Sequence, residues 1–171
     1  MPQISFHSLA PSARVWVFGA SASLDGAARE LLLKSVDEHL ANWRAHGVPL
    51  LCGRDWRDDR FLAIAVDEAA TGASGCSIDG MFRVLATLQS ELGASLVGGG
   101  TIFWRNADGV VQSGTRSEFV EAIGAGRVTG TTPVFDLTID TVEKWRTVFE
   151  RAADSSWHAR MLKAAGVPTD G

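Results

Sequence analysis

The chain has 171 residues, 46% of them hydrophobic and 21% charged, a balance typical of one globular domain with a sizeable core. Its 16 basic residues are outnumbered by 20 acidic ones, and the net charge of −4 argues against a surface that binds nucleic acid. Because no apolar run reaches the roughly 20 residues that cross a bilayer, and residues 1–13 lack the pattern of a signal peptide, we expect a cytoplasmic protein without a membrane partner.

The first half of the chain is predicted to combine three strands with one long helix. Residues 14–18 are β-branched and aromatic and predict a strand, while apolar side chains at three- and four-residue steps predict a helix over residues 24–46. Residues 50–55 and Phe61–Val66 predict two strands that pair as a hairpin. Every residue of Phe61–Val66 is apolar, so this strand is predicted to lie in the middle of a sheet with both faces covered.

The elements predicted next complete the element order of a split βαβ arrangement. A stripe of apolar residues predicts a helix over residues 77–92, and an Asp-Gly turn signal predicts a hairpin of residues 101–105 and 109–112. The order strand, helix, strand, strand, helix, strand is that of the split βαβ arrangement. We therefore predict an α+β fold with a ferredoxin-like core and an added β-hairpin.

The rest of the chain is predicted as a C-terminal helical extension of that core. It contains a short helix at residues 117–123, a strand at 132–139 and helical segments from 140 onward. The sequence has no internal repeat and no low-complexity segment. We predict one domain over residues 1–171, with the core at about 13–112 and the extension at about 113–163.

Residues 71–79, with the sequence Thr-Gly-Ala-Ser-Gly-Cys-Ser-Ile-Asp, join an apolar strand to a helix and put Cys76 where that helix is predicted to begin. The positive end of the helix dipole and the free backbone N–H groups there favour an anion, so the Cys76 thiol is predicted to have a lowered pKa. The structural alternative is a small buried residue at a tight turn. The sequence leaves both interpretations open.

The predicted topology brings several candidate groups to one rim of the sheet. Strands one and two begin there, strand three and helix one end there, and helix two starts there. We place Cys76 on this rim as a nucleophile, with His46 as a base and Asp67 or Asp79 as an orienting carboxylate. His158, far along the chain, is a second candidate base. Each histidine has a structural alternative, as a cation at a helix end for His46 and in a docked C-terminal helix for His158.

Four further residues on this rim are candidates for ligand binding, namely Arg14, Ser74, Ser77 and Asp79. Arg14 stands at the start of the first strand, and the other three flank the predicted start of the second helix. For these three, capping of the helix is the favoured alternative, because serine and aspartate are typical of helix starts.

The two cysteines of the chain, Cys52 and Cys76, are too few for a disulfide framework and lack the paired spacing of a zinc site. We therefore interpret both as reduced thiols. Because no cluster of further ligands occurs in the sequence, we expect neither a metal nor another cofactor.

Several strings of the sequence resemble a small uncharacterised family of bacterial proteins. They are Arg14-Val15-Trp16-Val17, Trp43 with His46-Gly47, Val66-Asp67-Glu68, Thr132–Asp136, Ser156-Trp157-His158 and, most specific of all, Ser74-Gly75-Cys76-Ser77-Ile78-Asp79. The resemblance spans about residues 13–162 and implies a bacterial, cytosolic setting but no assigned activity. Members are sometimes labelled ABC transporter ATPase. That activity requires a phosphate-binding Gly-x-x-x-x-Gly-Lys-Ser/Thr loop, which this sequence lacks, so the label is not supported.

Two classes of function are compatible with these features. The preferred one is a non-catalytic module that binds a small ligand or a protein partner, since compact domains of this kind host many functions. The alternative is a thiol-dependent enzyme acting on an acyl or amide substrate, with Cys76 as its nucleophile. A short distance between the Cys76 sulfur and an imidazole nitrogen in an accessible pocket would favour the enzyme. The oligomeric state is left open, and a homo-oligomer is one alternative.

Overall fold

The computed structural model describes residues 3–71 and 78–169, and the chain forms two compact units. The first unit comprises Met1–Val97 and Thr138–Arg146, and the second comprises Gly98–Leu137 and Thr147–Gly171. Both units mix helices with antiparallel strands, which confirms the α+β class. No helix in the described residues is both long and apolar enough to cross a membrane. The expectation that both units belong to one domain stays a prediction.

The first unit is built on a three-stranded sheet with two helices packed against it. In chain order its elements are β1 (Arg14–Gly19), α1 (Gly26–Ala41), β2 (Arg44–Ala45), β3 (Val48–Pro49), β4 (Cys52–Arg57), β5 (Phe61–Val66), α2 (Glu68–Thr71) and α3 (Asp79–Leu92). The sheet has the order β1-β5-β4, with both neighbours of β5 antiparallel to it. All six residues of β5 are buried, which confirms its predicted central position.

The helices α1 and α3 cover one face of this sheet, where the apolar stripes predicted from the sequence meet. From α1 come Leu32, Val36 and Leu40, from α3 Met81, Leu85 and Leu88, and from β5 Leu62, Ile64 and Val66. These side chains are at most 8% exposed and belong to one cluster. Each fully buried large side chain contributes about 1.5–3 kcal/mol, so their sum holds both helices on the sheet.

The second unit is built on a four-stranded antiparallel sheet. Beyond Val97 the chain forms β6 (Ile102–Arg105), β7 (Val111–Gly114), α4 (Arg116–Gly124), β8 (Pro133–Phe135), α5 (Val142–Thr147), β9 (Glu150–Ala152) and α6 (Ala159–Ala164), of which α5 belongs mainly to the first unit. The sheet order is β7-β6-β8-β9, and α4 and α6 bury Phe119, Met161 and Leu162 in its core. The predicted hairpin is confirmed as β6 and β7. Strand β9 interrupts the stretch predicted as helical, because its residues pair with β8.

The other face of β5 is closed by segments from the two ends of the first unit. Residues near the N-terminus pass so close to β4 that a Cβ on Gly53 would lie 2.7 Å from the Ile4 carbonyl oxygen, so only glycine fits there. Trp145 of α5 is fully buried and donates from its indole N–H to the Asp55 carboxylate at 2.8 Å. The Arg57 guanidinium stacks over the same indole at 4.2 Å and donates to the Trp145 carbonyl oxygen, which fixes α5 against β4.

The structure corrects the predicted partner of the fourth strand. A split βαβ core would place residues 101–105 beside β1, but β6 pairs with β7 and β8 in the second sheet. The edge of β1 is bonded by a later segment instead. The Val15 N–H donates to the Asp140 carbonyl oxygen, and Arg14 forms a bridge with Thr141. The segment of Asp140 and Thr141 therefore bonds the start of β1 at the edge where a fourth strand would pair.

Replacing Ile64 with Asp is expected to unfold the first unit. The Ile64 side chain is fully buried in the cluster under α1 and α3, so Ile64→Asp puts a carboxylate among apolar side chains. We expect the free energy of unfolding to fall by more than about 4 kcal/mol in urea titrations followed by circular dichroism. The control is Ile64→Val, which should lose about 1 kcal/mol. Equal urea midpoints for the two variants would contradict the central position of β5.

Candidate functional site

The predicted topology brings the ends of several strands and helices to one rim of the sheet, and in the first unit they do meet there. Register pairs Val66 at the end of β5 with Arg14 at the start of β1 and with Cys52 at the start of β4. The end of α1 lies beside them, because the Cys52 thiol donates to a carbonyl oxygen in its last turn at 3.6 Å. The start of α3 adjoins α1, since a Cβ on Gly80 would lie 2.9 Å from the His39 ring. The geometry of the rim is confirmed, and its use as a site stays a prediction.

The side chains of Arg14 and Asp67 each have a partner on this rim. The Arg14 guanidinium lies 4.4 Å over the Trp16 ring and 3.4 Å from the Glu68 carboxylate, but it remains about half exposed. An exposed ion pair of this kind contributes little to stability. Asp67 accepts a hydrogen bond from the Ala70 N–H at 2.9 Å and so caps α2. The ligand-binding role of Arg14 and the catalytic role of Asp67 stay predictions.

Three of the predicted site residues, Cys76, Ser74 and Ser77, lie outside the described residues. The remaining residue of the motif, Asp79, is exposed and is the first residue of α3, with Ile78 before it in the N-cap position. An acidic side chain in the first turn is stabilised by the helix dipole. The position of Asp79 therefore agrees with its interpretation as a helix-start residue.

His46 does not lie in a helix, which corrects its predicted position. The helix expected over residues 24–46 ends at Ala41, and the chain then forms the short hairpin of β2 and β3. His46 and Gly47 make the turn of this hairpin, with φ angles of 50° and 81°. Two successive positive φ angles are typical of a two-residue hairpin turn and are incompatible with a continuing α-helix. His46 is exposed at the tip of the turn, so a helix dipole does not explain it.

His158 belongs to the second unit and is completely buried. Its Nδ1 atom lies 2.8 Å from the Ser156 hydroxyl oxygen, and its ring stacks on the Trp157 indole with 3.8 Å between centroids. The Phe119 ring meets it edge-on. Its Nε2 atom is buried and has no hydrogen-bond partner in the part of the chain that the structure describes. These contacts favour the structural alternative, in which His158 anchors the C-terminal helix.

Burial lowers the pKa of His158 to about 4. The nearby Asp136 carboxylate raises that pKa and Arg151 lowers it, but the loss of hydration dominates because the ring is not exposed to solvent. The Asp136 carboxylate is itself engaged, since it accepts from the Trp157 indole N–H at 3.2 Å and from the Arg151 guanidinium at 3.4 Å. At neutral pH the imidazole of His158 is therefore uncharged and held in the core.

A groove between α1 and α3 contains two open cavities, and the sequence alone does not predict it. The first, of about 460 Å³, is lined by Ser35 and His39 of α1 and by residues of α3 that include Gly80, Arg83, Val84 and Leu88. The second, of about 590 Å³, shares Ser35, His39 and Val84 with the first and adds residues that include Glu38, Trp43 and Arg44. Because they share three residues, the cavities adjoin, and we call them together the α1–α3 groove.

His39 lines both cavities of the α1–α3 groove and has one unsatisfied ring nitrogen. Its Nε2 atom is buried without a hydrogen-bond partner among the described residues, and its ring lies 5.8 Å from that of Trp43. Burial lowers the pKa of His39, and the positive charge of Arg83 lowers it further. A buried polar atom without a partner costs about 1–3 kcal/mol, so a bound group that forms a hydrogen bond with Nε2 is stabilised by that amount.

The sequence carries one signal of this groove, a glycine in the first turn of a predicted helix. Glycine is unfavourable there by about 1 kcal/mol relative to alanine. The structure explains Gly80, because a Cβ at this position would lie 2.9 Å from the His39 ring. Which residue of α1 faces Gly80 is set by the packing of the two helices, so the sequence alone does not identify His39.

Comparison with known proteins does not assign the chain to a family. No family model, no curated protein and no solved structure matches the chain. Within residues 3–71 and 78–169, no three His, Cys, Asp or Glu side chains lie close enough together to hold a metal ion. The candidate site is therefore defined by the geometry of its own residues.

The buried neutral state of His158 predicts a loss of stability in mild acid. A histidine in the unfolded chain has a pKa near 6.5, whereas burial holds the pKa of His158 at about 4. As pH falls, the unfolded state therefore binds a proton before the folded state does. The stability that the neutral ring provides is present above about pH 6.5 and is lost progressively down to about pH 4. We expect a loss of about 3 kcal/mol over this range in urea unfolding experiments.

Exposed His7 supplies the control for this prediction. His158→Phe should remove the part of the pH dependence that the buried ring supplies, about 3 kcal/mol, whereas His7→Gln should not remove that part. NMR titration of the ring protons is a second measurement, and it should show His158 neutral down to about pH 4. Titration of His158 near pH 6.5 would contradict the burial argument.

Proposed function

We propose that the chain is a binding module that holds a small molecule in the α1–α3 groove. The observation that carries this proposal is the unsatisfied His39 Nε2 atom beside two adjoining cavities of about 460 and 590 Å³. Small-molecule sites are typically clefts of about 300–1,000 Å³ with mostly apolar walls and a few polar groups. The two volumes fall in this range, and the first cavity has Val84 and Leu88 as apolar wall and Ser35, His39 and Arg83 as polar groups.

A small ligand fits the first unit better than a protein partner does. In the described part of this unit, the exposed large apolar side chains are Val48 and Phe82. The Phe82 ring already packs edge-on against Phe18, with 5.1 Å between centroids. Single exposed apolar side chains are normal on a monomer, whereas a protein interface is marked by a contiguous patch. The concave groove is therefore the stronger support.

As part of the same proposal, the first unit is a variant of the ferredoxin-like fold. In support, β1, β5 and β4 have the strand order and antiparallel pairing of a split βαβ sheet, with α1 and α3 on one face. The bonds of Asp140 and Thr141 to β1 stand where the fourth strand would pair. This fold hosts many functions, so the groove and not the fold carries the proposal. A bacterial, cytoplasmic setting, implied by the family resemblance and the composition, belongs to the proposal as well.

The alternative proposal is a thiol-dependent enzyme with Cys76 as its nucleophile. The observation that favours it is the position of two charged residues, since Arg14 and Asp67 lie at the rim where α2 and α3 begin. In chain order, the segment that carries Cys76 joins these two helices. A cation and a carboxylate at one rim are groups that can lower a thiol pKa and orient a base. The other cysteine, Cys52, is fully buried and therefore serves as an internal control.

Filling the middle of the α1–α3 groove should weaken ligand binding. Val84 belongs to both cavities, and Val84→Trp adds a large ring where they adjoin. We expect small molecules from an NMR fragment screen to shift the backbone signals of Ser35, His39 and Val84 in the unmodified protein. The same molecules should bind Val84→Trp at least about tenfold more weakly, which corresponds to about 1.4 kcal/mol.

The matched control for this experiment is Val120→Trp, because Val120 is an exposed helical residue of the second unit. It should bind the same molecules with unchanged affinity, and both variants should keep the circular dichroism spectrum of the unmodified protein. Fragment-induced shifts confined to residues outside the groove, or equal losses in both variants, would overturn the proposal.

The enzyme alternative predicts a reactive Cys76 thiol. In a Cys52→Ser variant, Cys76 should be alkylated by iodoacetamide near pH 7, and the pH dependence of its rate should give a pKa below the roughly 8.5 of a free cysteine. In the Cys76→Ser variant, the buried Cys52 should react only after unfolding. Mass spectrometry of the alkylated chain measures both rates. A Cys76 that titrates like a free thiol would contradict the enzyme and leave the binding module.

A further inference from the structure

Gly80 marks a point in the α1–α3 groove around which two nitrogen donors lie. A Cβ at this residue would be 3.4 Å from His39 Nε2 and 4.0 Å from Arg83 Nη2. Gly80, His39 and Arg83 all line the cavity of about 460 Å³. One nitrogen comes from α1 and the other from α3, so a single small group at this point can contact both helices.

Neither of these donors has a partner among residues 3–71 and 78–169. In the described part of the chain, the Arg83 guanidinium has no ion-pair partner, and His39 Nε2 has no hydrogen bond. Burial, and then the charge of Arg83, hold the pKa of His39 below its usual value, so the imidazole is neutral at pH 7. A neutral imidazole donates from the nitrogen that carries its proton, and Nε2 can be that atom.

The charges around His39 favour an anion over a cation. Arg83 faces it from α3, and Glu38 and Arg44 line the adjoining cavity with it. The exposed Asp79 precedes Gly80 at the start of α3. Of these described groups, Arg83 is the one whose charge acts on the pKa of His39, and it acts as a nearby cation. The positive charge of Arg83 therefore lies close to His39 in the groove.

We propose that the α1–α3 groove binds its ligand through an oxyanion, a carboxylate or a phosphate, held at Gly80 between Arg83 and His39. This assignment rests on the proposed function of the groove and adds the chemical class of the ligand. The guanidinium donates charge-assisted hydrogen bonds to two oxygen atoms, which is the geometry that arginine offers to carboxylate and phosphate. His39 Nε2 donates to the same group, and Val84 and Leu88 in the cavity wall contact an apolar body attached to it.

A bound anion also changes the protonation of His39. Its negative charge opposes the effect of Arg83 and raises the pKa of the imidazole. Because the bound state then holds a proton more tightly than the free state, the affinity for an anion should increase as pH falls through the pKa that the imidazole has in the complex. A neutral ligand in the same groove has no such dependence.

Three probes test this proposal by NMR titration of the full chain, namely hexanoate, hexanol and inorganic phosphate. Hexanoate offers an oxyanion with an apolar body, phosphate the oxyanion alone, and hexanol the apolar body alone. Hexanoate should bind at least about tenfold more tightly than hexanol, and Arg83→Gln should remove that difference. The matched control is Arg160→Gln, since Arg160 is an exposed arginine of α6, and it should leave the affinity for hexanoate unchanged.

A second variant keeps both donors and fills the space between them. In Gly80→Ala, the added methyl group stands 2.9 Å from the His39 ring, so either the ring or the ligand must move. Hexanoate and phosphate should bind this variant at least about tenfold more weakly. Thermal unfolding of the same sample shows whether the fold is kept.

The outcomes separate this proposal from the proposed function. Equal affinities for hexanoate and hexanol, with shifts at Ser35, His39 and Val84, would overturn the oxyanion and keep the binding module. A loss of hexanoate binding in Arg160→Gln as large as in Arg83→Gln would reveal a general charge effect and overturn it too. If none of the probes binds at millimolar concentration, the oxyanion is overturned, and the fragment screen decides separately on the module.

Discussion

The burial of β5 on both faces is the constraint on which the first unit depends. All six of its side chains are removed from solvent, so each face of the strand needs its own apolar cover. The helices α1 and α3 supply one cover, and the N-terminal segment and α5 supply the other, which Trp145 fixes to β4. Two helices that share one face of a narrow sheet must lie side by side. The α1–α3 groove is a direct result of that arrangement.

In the described part of the chain, the Nε2 atoms of His39 and His158 both lack a hydrogen-bond partner, but the surroundings of the two rings differ. His158 is sealed between Trp157 and Phe119 and bonded to Ser156, so its unused nitrogen meets only the core. The surroundings of His39 are different. The helical turn that buries the adjacent Leu40 leaves the His39 imidazole at the edge of two open cavities. Both rings have a lowered pKa through loss of hydration. Access to a cavity makes His39 the stronger candidate for binding.

The sequence predicts the first unit well where hydrophobic pattern decides the structure. The central position of Phe61–Val66 follows from composition alone, because no polar residue interrupts it. The hydrophobic pattern does not predict the structure where backbone dihedral angles determine it, or where two segments compete for the edge of one strand. Apolar spacing continues through Trp43, but the positive φ of His46 belongs to a hairpin turn, and the edge of β1 is taken by Asp140. The role of His39 depends on the contact of two helices, which periodicity does not specify.

The hydrogen bond from Trp145 to Asp55 spans 90 residues of sequence, and this has a consequence for the order of folding. On the ribosome, β4 and β5 emerge well before α5, so one face of β5 lacks part of its cover while the strands of the second unit are still being synthesised. Closing so long a loop has an entropic cost that the local β4–β5 hairpin avoids. A nascent chain stopped before residue 138 therefore lacks the part of this apolar cover that α5 supplies, and exposed apolar surface of this kind is what chaperones bind.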